Sequence, residues 1–317
     1  MDGVQGGLGS LMHLKQQHPH LQVLLSIGGG QASEVFPIVA ANTLLRDNFA
    51  RSARGLVEAS GLDGIDGKSF SAVLLSSGTR SKLIRKAVLL RRNPETTVAW
   101  EYPSDAQQGY DFTALLAAIR IHLPEDRYTL TAALPASKAV LQYIDFRVAA
   151  EYLDHLNLMA YDFFGPWSSR SGHHAQLYSM NREDTSGSSG VAHLMSHGFP
   201  ARKILLGIPT HGRSFLQAAG PGHRFRGGGG EDGAFEYHQL PRPGCSESVD
   251  KRHVAAMCLG GDGGFVTYDN PETVKTKAGF CKQKGLAVSS SPEAHLYQDF
   301  VVVFPFFLLF GRSFLSL

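Results

Sequence analysis

The chain has 317 residues, 43% of them apolar and 18% charged, enough to bury the core of one large domain or two small ones. Thirty lysines and arginines against 28 acids leave a net charge of +2, too small to argue for a nucleic-acid partner. The three cysteines, Cys245, Cys258 and Cys281, have neither metal-site spacing nor the even count of a disulfide framework. A Cys245–Cys258 pair and reduced thiols are both compatible with the sequence.

Residues 1–20 hold no apolar signal-peptide core. Residues 21–27 read as a mostly apolar strand stopped by Gly28, Gly29 and Gly30. That triplet lacks both phosphate-loop fingerprints, so its glycines serve a close turn rather than a nucleotide. Residues 35–59 read as helical, the main helix opening between Asn42 and Asp47. Residues 62–66 form a second short strand that closes on Asp63-Gly64-Ile65-Asp66.

Residues 67–99 resemble nothing around them: seven basic residues stand there against the single acid Glu95. A solvated insert is the reading favoured over an anion-binding surface, because no nucleic-acid motif surrounds it. Trp100-Glu101-Tyr102-Pro103 then reads as the continuation of the interrupted strand.

A helix follows over 111–122, with Phe112, Leu115, Leu116 and Ile119 on one face and Asp111 as its N-cap. Then come a strand at 128–133, a helical stretch at 136–150, with Asp145 read as structural, and a strand at 153–161. A helix at 187–197, a strand at 203–208 and an extended stretch at 262–268 precede a helix over 270–284, opened by Pro271 and stopped by Gly285.

The strands are uniformly apolar rather than alternating, as expected of a parallel sheet covered by helices. Polar residues gather at several separate strand ends: Gly28 to Gly30, Asp63 and Asp66, Tyr161 and Asp162, His211 and Arg213. Contributions from four strand ends favour an α/β barrel over an open doubly wound sheet.

Five ordered stretches carry a resemblance. They are Leu25-Ser26-Ile27-Gly28-Gly29; residues 62–66 with 100–103; Met159-Ala160-Tyr161-Asp162; Gly207-Ile208-Pro209-Thr210-His211-Gly212-Arg213-Ser214-Phe215; and Gly264-Phe265-Val266-Thr267-Tyr268-Asp269. Together they resemble the SxGG, DGxDxDxE, MxYD and GxPxYGRxF strands, and the segment before the last helix, of glycoside hydrolase family 18, the chitinase family. The resemblance covers 1–66 and 100–287. It implies a (β/α)8 TIM barrel that hydrolyses β-1,4-linked N-acetylglucosamine polymers with retention, by a substrate-assisted mechanism. A glutamate protonates the leaving-group oxygen, the substrate's acetamido oxygen attacks the anomeric carbon, and the aspartate two residues before the glutamate orients the acetamido group. That scheme differs from the two-carboxylate mechanism of most glycosidases.

Carried over residue by residue, the resemblance implies Glu101, Asp66, Tyr161 and Asp162 as the catalytic group. Asp63, Tyr102, Trp167, Arg213 and His211 are implied as substrate contacts, with His211 standing where the family commonly has tyrosine. No cofactor and no metal are implied. The expected partner is chitin or its oligomers, with no nucleic acid, no transmembrane span and a monomeric state. Family members are often extracellular, which leaves localisation open in this chain.

Strand geometry sharpens the catalytic expectation. Residues two apart in a strand face the same way, so Asp-x-Asp-x-Glu aims three carboxylates into one barrel mouth. If the strand runs on past Asp66, the next two positions fall on Lys68 and Phe70. If residues 97–101 supply the upper half, Glu101 faces inward but Ala99 and Thr97 precede it. Neither register places an aspartate two residues before the acid.

The expectation is therefore an impaired hydrolase; the alternatives are a lectin-like chito-oligosaccharide binder or an inactive fragment. Residues 1–287 form the expected barrel, incomplete in its first and last strands, with 67–99 an atypical insert. Residues 288–317 form a non-homologous tail around the apolar run 300–310, too short to span a bilayer as a helix. Both tryptophans, Trp100 and Trp167, lie outside the eighth-strand position where the family places its floor tryptophan.

Overall fold

A computed structural model describes residues 6–19, 22–27, 35–67, 102–181 and 184–287. Gly28 to Gly30, the insert beyond Gly67, Glu101 and the tail 288–317 lie outside the described residues.

In chain order the elements are α1 (Gly6–Gln17), β1 (Leu24–Ser26), α2 (Phe36–Ala41), α3 (Thr43–Ser60), β2 (Gly64–Gly67), α4 (Ala106–His122), β3 (Thr129–Pro135), α5 (Lys138–Leu141), α6 (Phe146–Tyr152) and β4 (His155–Met159). There follow α7 (Gly187–Ser196), β5 (Ile204–Leu206), β6 (His211–Phe215), β7 (Ala234–Glu236), β8 (Cys245–Asp250), β9 (Ala255–Gly260), β10 (Gly264–Tyr268) and α8 (Pro271–Lys284). Parallel strands alternating with helices through β5 make this a (β/α)8 barrel, and the described residues supply five of its strands.

The chain separates into two compact units. One comprises Met1–Ala133 and Tyr143–Asp154; the other comprises Leu134–Gln142 and the described residues from His155 on.

In the first unit β2 pairs in parallel with β1 and with β3. Gly64 permits the close approach to β3, because a Cβ there would stand 1.9 Å from the Thr129 carbonyl oxygen. On α3, Ala50, Ala53 and Val57 recur at helical spacing and are buried. Asn42 caps this helix by accepting from the Leu45 N–H, and Gly61 ends it at φ 68°.

The fourth helix begins earlier than its apolar pattern predicts. Asp105 is its N-cap, accepting from the Gln108 N–H, whereas Asp111 is buried inside the helix and accepts from Gln107. At its other end Arg120 donates to the carbonyls of Tyr152 and Tyr128 and to Asp154, fastening α4 to the end of α6 and the start of β3. The first helix escapes prediction because Gly6, Gly7 and Gly9 weaken it on propensity alone.

The second unit holds the parallel pair β4–β5, whose Leu156, Leu158, Ile204 and Leu206 are buried. The stretch read as one helix over 136–150 is two short ones, α5 and α6, with Asp145 capping the second through the Arg147 and Val148 N–H groups. A capping box at Asn270 and Thr273, Pro271 in the first turn and Gly285 at φ 64° bound α8 as the sequence suggests.

This unit also contains an antiparallel sheet in the order β7-β6-β10-β9-β8. Its interior is Phe235, Ala256, Cys258, Val266 and Tyr268, with a second cluster around Phe215 and Phe265. All three cysteines are free thiols.

Candidate functional site

The predicted site residues divide between the two units. In the first, Asp63 sits just before β2. One carboxylate oxygen takes the Lys15 ammonium at 2.5 Å and the other accepts from the Val23 N–H at 2.7 Å. Its own N–H donates to the Val23 carbonyl, and its carbonyl accepts from Thr129. Those contacts fasten α1, β1 and β3 together at the N-terminal end of β2.

Asp66 lies towards the other end of the same strand and is 3% exposed. Its register partners are Ser26 on β1 and Thr131 on β3. Both hydroxyls turn to it: Thr131 Oγ1 donates to one oxygen, and Ser26 Oγ lies 3.4 Å from the other. The SxGG serine and the DGxD aspartate thus meet as neighbours in one row across three strands. Tyr102 is half-buried.

In the second unit, Tyr161 and Asp162 follow directly on β4. Asp162 adopts φ 58°, a left-handed conformation that is uncommon for a residue with a side chain and concentrates at functional positions. Its carboxylate is gripped by Arg213 from β6, with Nε to Oδ1 at 2.8 Å and the terminal nitrogen to Oδ2 at 2.9 Å. Such a bidentate fork fixes both position and charge. His211 Nε2 adds a hydrogen bond to Oδ1 at 3.0 Å, and His174 Nδ1 stands 3.4 Å from the same oxygen. Burial alone would push the carboxyl up. The two imidazoles and the guanidinium outweigh it and hold Asp162 well below the usual carboxylate range.

Tyr161 lies edge-on to His211, with ring centroids 6.3 Å apart. Room for the tyrosine comes from Gly207, where a Cβ would meet Tyr161 at 3.0 Å and the Leu158 carbonyl at 2.9 Å. Trp167 is 62% exposed, and the Arg213 guanidinium lies over its ring at 4.9 Å. An outward indole face beside a fixed ion pair offers an apolar platform with polar groups at its edge, the arrangement that suits a pyranose ring.

Sequence reasoning did not single out His174. It belongs to no helical or strand period, and only the fold brings it to Asp162. The segment around it is held firmly: the His174 carbonyl accepts from the Phe163 N–H, and the Ala175 carbonyl accepts from Lys277 Nζ at 2.6 Å. Lys277 is itself buried against Asp269 at 2.5 Å, whose other oxygen accepts from Thr273. A second His-carboxylate group, also unmarked in the sequence, joins His173 and His253 to Asp250 at 3.3 and 2.7 Å.

Comparison with known proteins bears on this arrangement. A family model described as glycosyl hydrolases family 18 matches residues 3–66 and 67–289. Chitinase 1 of Aphanocladium album is 32% identical over 299 residues, covering 89% of this chain and 63% of its own length. Endochitinase 1 of Metarhizium robertsii is 32% identical over 313 residues, covering 92% and 66%. The chain therefore spans slightly under two thirds of these relatives' length.

Among solved structures, a class V chitinase from Nicotiana tobaccum superposes with a TM-score of 0.70 at 26% identity, over 86% of this chain and 76% of its own. A family GH18 chitinase from Cycas revoluta, solved with allosamidin, gives 0.71 at 25% identity over the same shares.

Proposed function

Since the chain belongs to the family 18 glycosyl hydrolases, we propose that it acts on chitin or N-acetylglucosamine oligomers by the retaining, substrate-assisted route, at a turnover reduced by orders of magnitude. Glu101 is the proton donor in this reading, giving its proton to the leaving-group oxygen as the glycosidic bond breaks. The substrate's acetamido oxygen supplies the electron pair that closes on the anomeric carbon. Water later opens that intermediate, with the Glu101 carboxylate taking its proton.

The observation that carries the reading is the Asp162 carboxylate beside Tyr161, held ionised and oriented by the Arg213 fork. A fixed negative charge suits the positive charge that develops on the acetamido group. In the first unit, Asp66 is buried with the Ser26 and Thr131 hydroxyls against its side chain. The reduction follows from the sequence, because no register puts an aspartate two residues before Glu101.

Assay of the purified chain on a chromogenic N-acetylglucosamine oligomer tests the proposal. Slow release that disappears in Glu101→Gln supports it. Release that survives Glu101→Gln removes Glu101 from the mechanism, and turnover at ordinary enzymatic rates removes the impairment.

The outward Trp167 ring under Arg213 favours a second reading, a lectin-like chito-oligosaccharide binder. Calorimetric binding of chitotetraose with no release of product, lost in Trp167→Ala, selects it over the first.

A further inference from the structure

We propose that Cys245 and Cys258 are a redox pair that closes to a disulfide across β8 and β9 when the chain meets a small disulfide oxidant.

The strand ladder sets up the pair. Cys245 lies opposite Gly260, and Cys258 lies opposite Glu247, so the two cysteines are offset by two positions. Side chains alternate along a strand, and an even offset puts both on the same face of the sheet. Gly260 offers no side chain, which leaves Cys245 without one directly across the ladder. It packs instead on the cluster that contains Cys258, and the two thiols are hydrogen-bonded to each other.

Diagonal neighbours in an ordinary ladder stand roughly 7–8 Å apart, just beyond the roughly 4.4–6.8 Å between Cα atoms that a disulfide spans. Closure therefore draws the strands slightly together. It does so at an end bounded by Gly244 and Gly260, whose backbones stand at φ 73° and 102°.

The two thiols differ in access. Cys245 is half-buried, whereas Cys258 is fully buried, and burial pushes the Cys258 thiol well above its ordinary value. Cys245 is thus the one a small disulfide can reach. Its thiolate attacks one sulfur of oxidised glutathione and expels a glutathione thiolate. Cys258 then gives up its proton to solvent and attacks the Cys245 sulfur, expelling the second glutathione. Two protein thiols become one disulfide as one glutathione disulfide becomes two thiols.

The bond would complete the fastening of an outer strand. In the order β7-β6-β10-β9-β8, the last strand pairs only with β9 among the described residues. At its far end Asp250 is held by His253 and His173. The disulfide fastens the other end. Cys281, buried on α8, lies outside this sheet and serves as the internal control.

Incubation of the full native chain with oxidised glutathione, followed by alkylation in denaturant and peptide mapping by mass spectrometry, tests the pair without reference to hydrolysis. Lys251 and Arg252 lie between the cysteines, so trypsin separates them and only the bond can hold the two fragments together. Loss of two of the three alkylatable thiols is expected, with Cys245 joined to Cys258 and Cys281 alkylated. Dithiothreitol should restore all three, and Cys258 should stay alkylatable in Cys245→Ser. Glutathione retained on Cys245, a bond to Cys281, a bond between two chains, or three thiols still free would each overturn the proposal.

Discussion

At the scale of single residues, the second unit is organised around carboxylates that are held charged. Asp162 is the extreme case, but Asp250 gives the cleaner measurement. Burial pushes its carboxyl up, yet hydrogen bonds from the His253 ring and backbone, with His173 nearby, bring it down to about 2. A carboxyl whose folded value lies below its unfolded one of 3.8 stabilises the fold above pH 3.8, and that contribution is lost as pH falls towards 2. Asp250→Asn should therefore cost on the order of 1 kcal/mol at pH 6, after screening by solvent. Urea midpoints at pH 6 and at pH 2.5 check this: the gap between variant and parent should shrink at the lower pH, and a constant gap would assign the effect to packing alone.

Legibility at this scale followed motif membership. Asp162, Tyr161 and Arg213 sit in stretches whose spacing announces them, and the structure brings Asp162 and Arg213 into contact across 51 positions of sequence. Asp63 carries the same motif signal as Asp66, yet at its strand end it meets Lys15 and a backbone N–H. His174 carries no motif or period signal because its position depends on packing from distant segments.

At the scale of elements, caps and glycines explain where the sequence speaks clearly. Asn42, Pro271, Gly61 and Gly285 bound α3 and α8 through chemistry visible in the residues themselves. Of the antiparallel sheet only β10 and, through its motif, β6 were legible, because β8 carries Ser, Glu and Asp among few apolar residues and β7 is only three residues long. Gly64 allows a test. An added methyl would collide with backbone rather than a movable side chain, so Gly64→Ala should cost about 3 kcal/mol, the upper end of overpacking effects. Asn42→Ala, which removes only a cap, should cost about 1 kcal/mol. Denaturant unfolding of both variants ranks them, and equal losses would mean β2 and β3 can separate without penalty.

At the scale of the whole molecule, the family's strand spacing offers a repair. Replacing residues 67–99 with a Val-Asp dipeptide would join Asp66 to Trp100 and Glu101 through the alternation that the family strand uses. If the interruption is what limits turnover, the repaired chain should release product from the chromogenic oligomer about 100-fold faster or more, the range that positioned acid–base groups supply. No gain would place the defect elsewhere in the barrel.

The tie between Lys277 and the Ala175 carbonyl has a consequence for biosynthesis. The two partners are 102 positions apart, and the loop that presents His174 precedes its anchor. At about 5–20 residues per second, a nascent chain carries that loop unfastened for roughly 5–20 seconds before the lysine is even polymerised. Synthesis speed across residues 176–277 thus sets how long a buried-to-be imidazole stands open to solvent, chaperones and stray ions. Synonymous codon changes there would alter yield without altering a single side chain.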